Sequence, residues 1–308
     1  MGAEAQNALA SALSHKNGFV RKGAIALLQV PKWWASIGLK PGDMATCPPV
    51  LVNSFPKSGT HLLMQLVEGL PDRRNYGAFL ASLTSSFRFR ERPPEDVVRY
   101  IRRFVPGEIV RAHLYYDDRY ADELTRKSVV HYYIYRDPRD VVVSEAHYLR
   151  EMNRWHKLAP YFRKLDTIDE AISLSIDGFQ PGVPGIDYPN VAARFGRYQG
   201  WFGRDDCLTI RFEDLRSERQ STIVEQMAEF YARRAHDGLD LTECARSMAS
   251  HVAPHKSHTF RSGKKAGWQR EFTAEHRRRF AEVAGDLLIQ LGYEPNHDWA
   301  TAPQTSSV

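Results

Sequence analysis

Apolar positions along the chain change their period several times, and each change marks an element. Val50-Leu51-Val52 opens a β-branched run that passes through Asn53, Ser54 and Phe55 and stops at Pro56, and Leu62, Leu63, Leu66 and Val67 then recur at helical spacing between Thr60 and Gly69. This pattern predicts strand, turn, helix. The same succession recurs at 129–135, a strand rich in Val and Tyr, after which Asp137-Pro138 opens a helix running through Val141 and His147 toward Met152. Residues 109–114 and 207–212 read as further strands, 217–233 and 273–291 as helices, and 168–176 and 190–202 as shorter helices. Between the last two, Gly178-Phe179-Gln180-Pro181-Gly182-Val183-Pro184-Gly185 reads equally as a plain connector or as a lid over a site. Strands alternating with helices predict a single α/β domain, a central parallel β-sheet flanked by helices, with ligands at the carboxyl ends of the strands. The loops after Ser54 and Tyr135 are where chemistry is expected.

Composition narrows the class without naming a function. The chain has 308 residues, 43% hydrophobic and 26% charged, which is globular and needs no disulfide or metal staple. Lys and Arg total 42 against 37 Asp and Glu, a net +5 that leans mildly toward anionic partners. Cys47, Cys207 and Cys244 lack CxxC spacing, so neither a disulfide framework nor a zinc cluster is indicated, and a cytoplasmic setting is expected. The expected organisation is an N-terminal arm over 1–45, one domain over 46–296 and a tail over 297–308. Within the arm, 17–39 mixes Phe19, Ile25, Leu27, Leu28, Trp33 and Trp34 with Arg21, Lys22 and Lys32. Such a segment suits a peripheral membrane contact, but the expectation is an arm packed on the domain with both tryptophans in its core.

The segment Phe55-Pro56-Lys57-Ser58-Gly59-Thr60-His61 closes one strand and opens a helix, so its amides form an anion cradle to which Lys57 adds a full charge. It is not a Walker A loop, because Lys57 precedes Gly59 and no partner glycine sits five residues upstream. The second segment, Tyr135-Arg136-Asp137-Pro138-Arg139-Asp140-Val141-Val142-Val143-Ser144, offers an arginine fork for a phosphate and a serine two helical turns on. Alone, either segment reads as an ordinary turn or a solvated charge cluster. Together, in this order, and with Arg211-Phe212-Glu213-Asp214-Leu215 and Phe260-Arg261-Ser262-Gly263, they resemble the sulfotransferases that use 3′-phosphoadenosine 5′-phosphosulfate, PAPS, over roughly 50–293.

The resemblance implies a P-loop NTPase-like sulfotransferase fold, PAPS as donor and PAP as product. It places Lys57, Ser58, Gly59, Thr60 and His61 at the phosphosulfate end, Arg136 and Ser144 on the 3′-phosphate, and Phe212, Arg261, Ser262 and Gly263 along the rest of the nucleotide. Arg111-Ala112-His113 resembles the family's basic-x-His strand, which makes His113 the implied base, and Trp268 and Phe272-Thr273 fit the elements that follow the Arg-Lys-Gly loop. The chain departs from the family at four places: His61 and Leu62 replace a threonine and a tryptophan, Ser262 a lysine with Lys264 or Lys265 nearby, Phe212 a tyrosine, and Arg111 a lysine. These departures touch the adenine side and point away from the animal cytosolic branch.

Sulfuryl transfer is largely positioning and charge stabilisation. Lys57 is expected to neutralise the departing oxygen, and His113 to take the proton of an acceptor hydroxyl or amine on a small molecule, sugar or lipid. Of the other histidines, His61 is assigned a structural or donor-contact role and His147 packing. No metal is implied. Acceptor-facing aromatics are sought among Phe87, Phe89, Tyr115, Tyr116, Tyr148, Trp155 and the 179–188 loop, each of which reads more readily as core. The alternative is a magnesium-dependent P-loop-type small-molecule kinase with Asp137 as metal ligand. A nucleic-acid partner would rest on Arg277-Arg278-Arg279, but that triplet lies among Glu271, Glu275 and Glu282 and reads as a solvated, salt-bridged face.

Overall fold

The computed structural model describes residues 12–13, 18–40, 42–235, 238–253 and 267–301. Strands β1 (Val50–Ser54), β2 (Phe79–Ala81), β3 (Ile109–His113), β4 (Val130–Tyr135) and β5 (Cys207–Arg211) form one parallel sheet in the order β2-β3-β1-β4-β5. Helices α1 (Gly18–Ile37), α2 (Thr60–Glu68), α3 (Pro94–Arg102), α4 (Asp118–Arg126), α5 (Pro138–His147), α6 (Ile168–Asp177), α7 (Val191–Gly196), α8 (Gln220–Ala232), α9 (Leu241–Ser250) and α10 (Ala274–Gln290) surround it.

Alternation along the strands splits the core into two layers. Val50, Val52, Ile109, Tyr132 and Ile134 face Leu63, Leu66 and Val67 of α2 and the apolar stripes of α8 and α9. Leu51, Val110, Ala112 and Tyr133 face the opposite way, toward α5, α6, α7 and α10. Because β1 lies at the centre with both faces covered, all five of its residues are buried, Asn53 and Ser54 included.

The pattern-based elements hold, with shifted ends. α5 stops at His147 and continues as a wider π-helical turn over Tyr148–Met152, and the 190–202 helix divides into α7 and a 3-10 turn at Gln199–Trp201. The sequence reading missed β2, which has only three residues, and also α3, α4 and α9.

Two expectations are corrected. Trp33 and Trp34 are 57% and 64% exposed rather than packed in a core. The Arg277–Arg279 triplet is only partly a solvated face: Arg278 pairs with Glu275 and Glu282, but Arg277 is buried against the Trp268 ring and Arg279 pairs with Asp177.

Arg139 ties the end of β4 to the C-terminal part of the chain. Its guanidinium binds Asp137 at 2.8 Å and Glu294, and stands 3.9 Å from the Trp268 ring and 4.8 Å from that of Trp299. Trp299 is buried, so the packed core reaches into the segment expected to be tail. Replacing Arg139 with leucine leaves Asp137 without its buried partner, and a loss of about 3 kcal/mol in unfolding free energy is expected from urea titration.

Candidate active site

The carboxyl ends of β1, β3, β4 and β5 open into one cavity of about 520 Å³, the place where an α/β sheet carries its ligands. After β1 the chain turns sharply. Lys57 and Gly59 have φ of 69° and 102°, and Gly59 caps α2. A Cβ at Gly59 would lie 2.5 Å from the Phe212 ring and 3.3 Å from Ile134, so only glycine fits that close approach. Within the described residues the amides of Gly59 and Thr60 find no backbone acceptor, and the buried Ser58 hydroxyl has no hydrogen-bond partner. These donors at a helix N-terminus fit a phosphate-bearing ligand.

Lys57 points along the cavity with Nζ 4.0 Å from the centre of the Tyr148 ring. Burial lowers its pKa to about 8, with Glu145 pulling upward and Arg136 adding to the depression. At the end of β4, Arg136 donates to Asp140 at 3.0 Å and lies 4.8 Å over the Phe212 ring. Asp140 also accepts the Trp268 amide at 2.9 Å, and Glu213 accepts the Asp137 amide at 3.1 Å, so the loops after β4 and β5 and the chain entering Trp268 are tied together. Ser144 lines the same cavity from α5.

His113 ends β3 beside Ala81 of β2. Its Nδ1 lies 2.9 Å from the Ser54 carbonyl oxygen and 3.1 Å from the Ser54 hydroxyl; because the nearer carbonyl can only accept, we assign the proton to Nδ1 and the lone pair to Nε2. Burial lowers its pKa to about 4, and the nearby Arg111, His61 and Lys57 charges act the same way, so the ring is neutral. Asn53 braces this corner: its side chain accepts the Leu114 amide at 2.8 Å and donates to the Leu114 carbonyl at 3.1 Å. Phe79 closes on the imidazole edge-on at 5.3 Å.

A family model for the sulfotransferase domain matches residues 48–292. The chain belongs to the sulfotransferase family. No curated protein matches its sequence. Among solved structures, it is similar to mouse sulfotransferase SULT7A1 complexed with PAP, at 19% identity and a TM-score of 0.53, covering 78% of this chain and 84% of that one. Two retinol dehydratase structures follow. One, in complex with retinol and PAP, has 17% identity, a TM-score of 0.51 and coverage of 84% and 86%. The other, in complex with androsterone and the inactive cofactor PAP, has 16% identity, a TM-score of 0.50 and coverage of 82% of each chain. The chain is therefore an α/β sulfotransferase, and the kinase alternative falls. Asp137, its would-be metal ligand, instead caps α5 and is engaged by Arg139.

Of the residues expected at this sulfotransferase site, Lys57, Gly59, Thr60, His61, His113, Arg136, Ser144 and Phe212 line the one cavity, and Ser58 sits buried in the loop beneath. Arg261, Ser262, Gly263, Lys264 and Lys265 lie outside the described residues. His147 is not simply packed: its Nε2 is 2.6 Å from Glu271. Among the aromatics, the partly buried Phe89, Tyr115 and Tyr148 line the cavity, against the core reading; Tyr188 lines it too but is buried in the core as expected, and Phe87 and Trp155 are exposed.

Sequence reasoning missed Phe79, Asn53 and the Glu145 cluster. Glu145 accepts from Tyr188 at 2.8 Å, Ser175 at 2.9 Å and Arg194. Burial pushes its carboxyl upward, but Arg194 and these hydrogen bonds outweigh that and hold it below the usual carboxylate range. The lone carboxylate in Val141-Val142-Val143-Ser144-Glu145 was a visible signal; Arg194, arriving from α7, carried none.

Proposed function

We propose that this chain transfers a sulfuryl group from PAPS to the hydroxyl of an apolar small molecule, with His113 as general base. The observation that carries the reading is the 2.9 Å contact between His113 Nδ1 and the Ser54 carbonyl oxygen. The Ser54 carbonyl holds the proton on Nδ1 and leaves the Nε2 lone pair for the cavity that Lys57 and the Gly59 and Thr60 amides also line.

PAPS supplies the sulfuryl group on a phosphate leaving group. The amides of Gly59 and Thr60 and the Ser58 hydroxyl bind the phosphosulfate end, and Lys57 holds positive charge where the leaving oxygen becomes anionic. Arg136 and Ser144 take the 3′-phosphate, with Phe212 stacked under Arg136. His113 accepts the acceptor's proton as the new oxygen–sulfur bond forms.

Phe79, Phe89, Tyr115 and Tyr148 form an aromatic wall suited to a phenol, sterol-like or other ring-bearing alcohol. The retinol dehydratase structures hold retinol and androsterone, ligands of the same apolar kind.

The test is incubation with PAPS and a mixed panel of phenols, sterols, aliphatic alcohols, amines and sugars, read by mass spectrometry and by PAP release. Sulfated phenols or sterols are expected. Failure to bind PAP in calorimetry, or sulfation restricted to sugars, would overturn the reading.

A further inference from the structure

Helix α1 carries a surface that sulfuryl transfer does not use. Leu27, Val30, Trp33, Trp34 and Ile37 recur at one- to four-residue intervals on one face and are 57–67% exposed, and Gly23 and Ala26 extend that face toward the N-terminus. No polar or charged side chain interrupts this stripe.

The helix is not loosely attached. Its other face buries Ala24 and Leu28, the latter packing with Tyr76 and Val105, and Lys32 Nζ meets the fully buried Glu108 carboxylate at 2.5 Å. One face is thus held on the domain while the stripe is turned outward. A contiguous exposed apolar patch of this kind marks a docking surface rather than ordinary exposure.

Charge selects the occupant. Besides Lys32, which Glu108 neutralises, residues 18–40 carry Arg21, Lys22 and Lys40 and no acidic residue. The two adjacent indoles, 5.0 Å apart and edge to face, are both exposed. We infer that α1 docks the protein on an anionic lipid surface, its Leu27-to-Ile37 stripe entering the boundary between headgroups and acyl chains. There the apolar ring bodies are buried while the indole N–H groups meet headgroup oxygens. A second copy pressed face to face would instead bring like-charged helices together. No helix among the described residues is long and apolar enough to cross a membrane, and the docked helix lies along the surface.

The placement bears on the site. Ile25 of α1 sits within 2.7 Å of where a Gly77 side chain would begin, and two residues later Phe79 enters the cavity against His113. The edge strand that lines the acceptor side is thus next to the lipid-facing helix. The docking rests on α1 alone and stands whatever the acceptor is.

The test is flotation of the full chain with phosphatidylserine–phosphatidylcholine vesicles, with tryptophan emission read in parallel. Binding to anionic vesicles, weakening with salt, and a blue shift are expected. The double substitution Trp33→Ser with Trp34→Ser should cut the bound fraction about tenfold or more, with an unchanged melting curve. Absence of flotation, or flotation undiminished in the double variant, overturns the inference. So does light scattering that finds a dimer split by the same variant without vesicle binding, since that assigns the stripe to a second copy.

Discussion

Replacing His113 with asparagine is expected to lower turnover by about two to four orders of magnitude, the range for a positioned general base, while PAP affinity and thermal stability stay unchanged. Asparagine can still donate to the Ser54 carbonyl that holds Nδ1 at 2.9 Å, so the corner keeps its shape and only the basic lone pair is lost. The pH profile adds a second readout. Burial holds the free-enzyme pKa at about 4, and the neutral ring is the working form. Activity measured as kcat/KM for the donor should therefore stay flat as pH falls from neutrality and drop only near pH 4. A bound donor brings phosphates that attract the proton and raise this pKa, so the acid limb of kcat should lie at higher pH than that of kcat/KM. Full turnover in His113→Asn together with loss in His61→Asn would transfer the role to His61, which lines the same cavity.

Much of this site was legible because its residues sit at strand ends, where sequence order and spatial order coincide. Lys57 through Thr60, His113, Arg136 and Phe212 each follow a β-branched run within a few residues, and a parallel sheet brings the carboxyl ends of all those runs to one edge. What escaped is held by contacts distant in sequence. Asn53 reads as an ordinary strand residue until its bonds to Leu114, 61 residues on, are seen. Arg194 reaches Glu145 across 49 residues. Phe79 belongs to a three-residue strand too short to show a period. The misjudged tryptophans of α1 have a different cause. Apolar periodicity marks one face of a helix but does not say which face meets the core, and in α1 the face with Ala24, Leu28 and Lys32 won because Lys32 finds the buried Glu108. Aromatics divide in the same way: Phe89 and Tyr115 face a cavity and Tyr133 a core, and nothing local separates them.

Substituting Lys57 with methionine, similar in length but uncharged, is expected to reduce kcat/KM by about two to three orders of magnitude, the loss seen when one preorganised charge-stabilising donor is removed. Arginine should not rescue it. The site is cut for a point charge 4.0 Å over the Tyr148 ring at a backbone position already held at φ 69°, and a planar fork presents its donors elsewhere. Burial sets Lys57 near pKa 8 in the free enzyme, with the carboxylate of Glu145 limiting the fall. The charged form is the working one, so kcat/KM for the donor should decline as pH rises through about 8. In the ternary complex the donor's phosphates favour the ammonium and move that limb upward in kcat. Residual activity of Lys57→Met should lack the basic limb altogether. A limb that persists in the methionine variant would show that another group titrates there and that Lys57 does not carry the leaving-group charge.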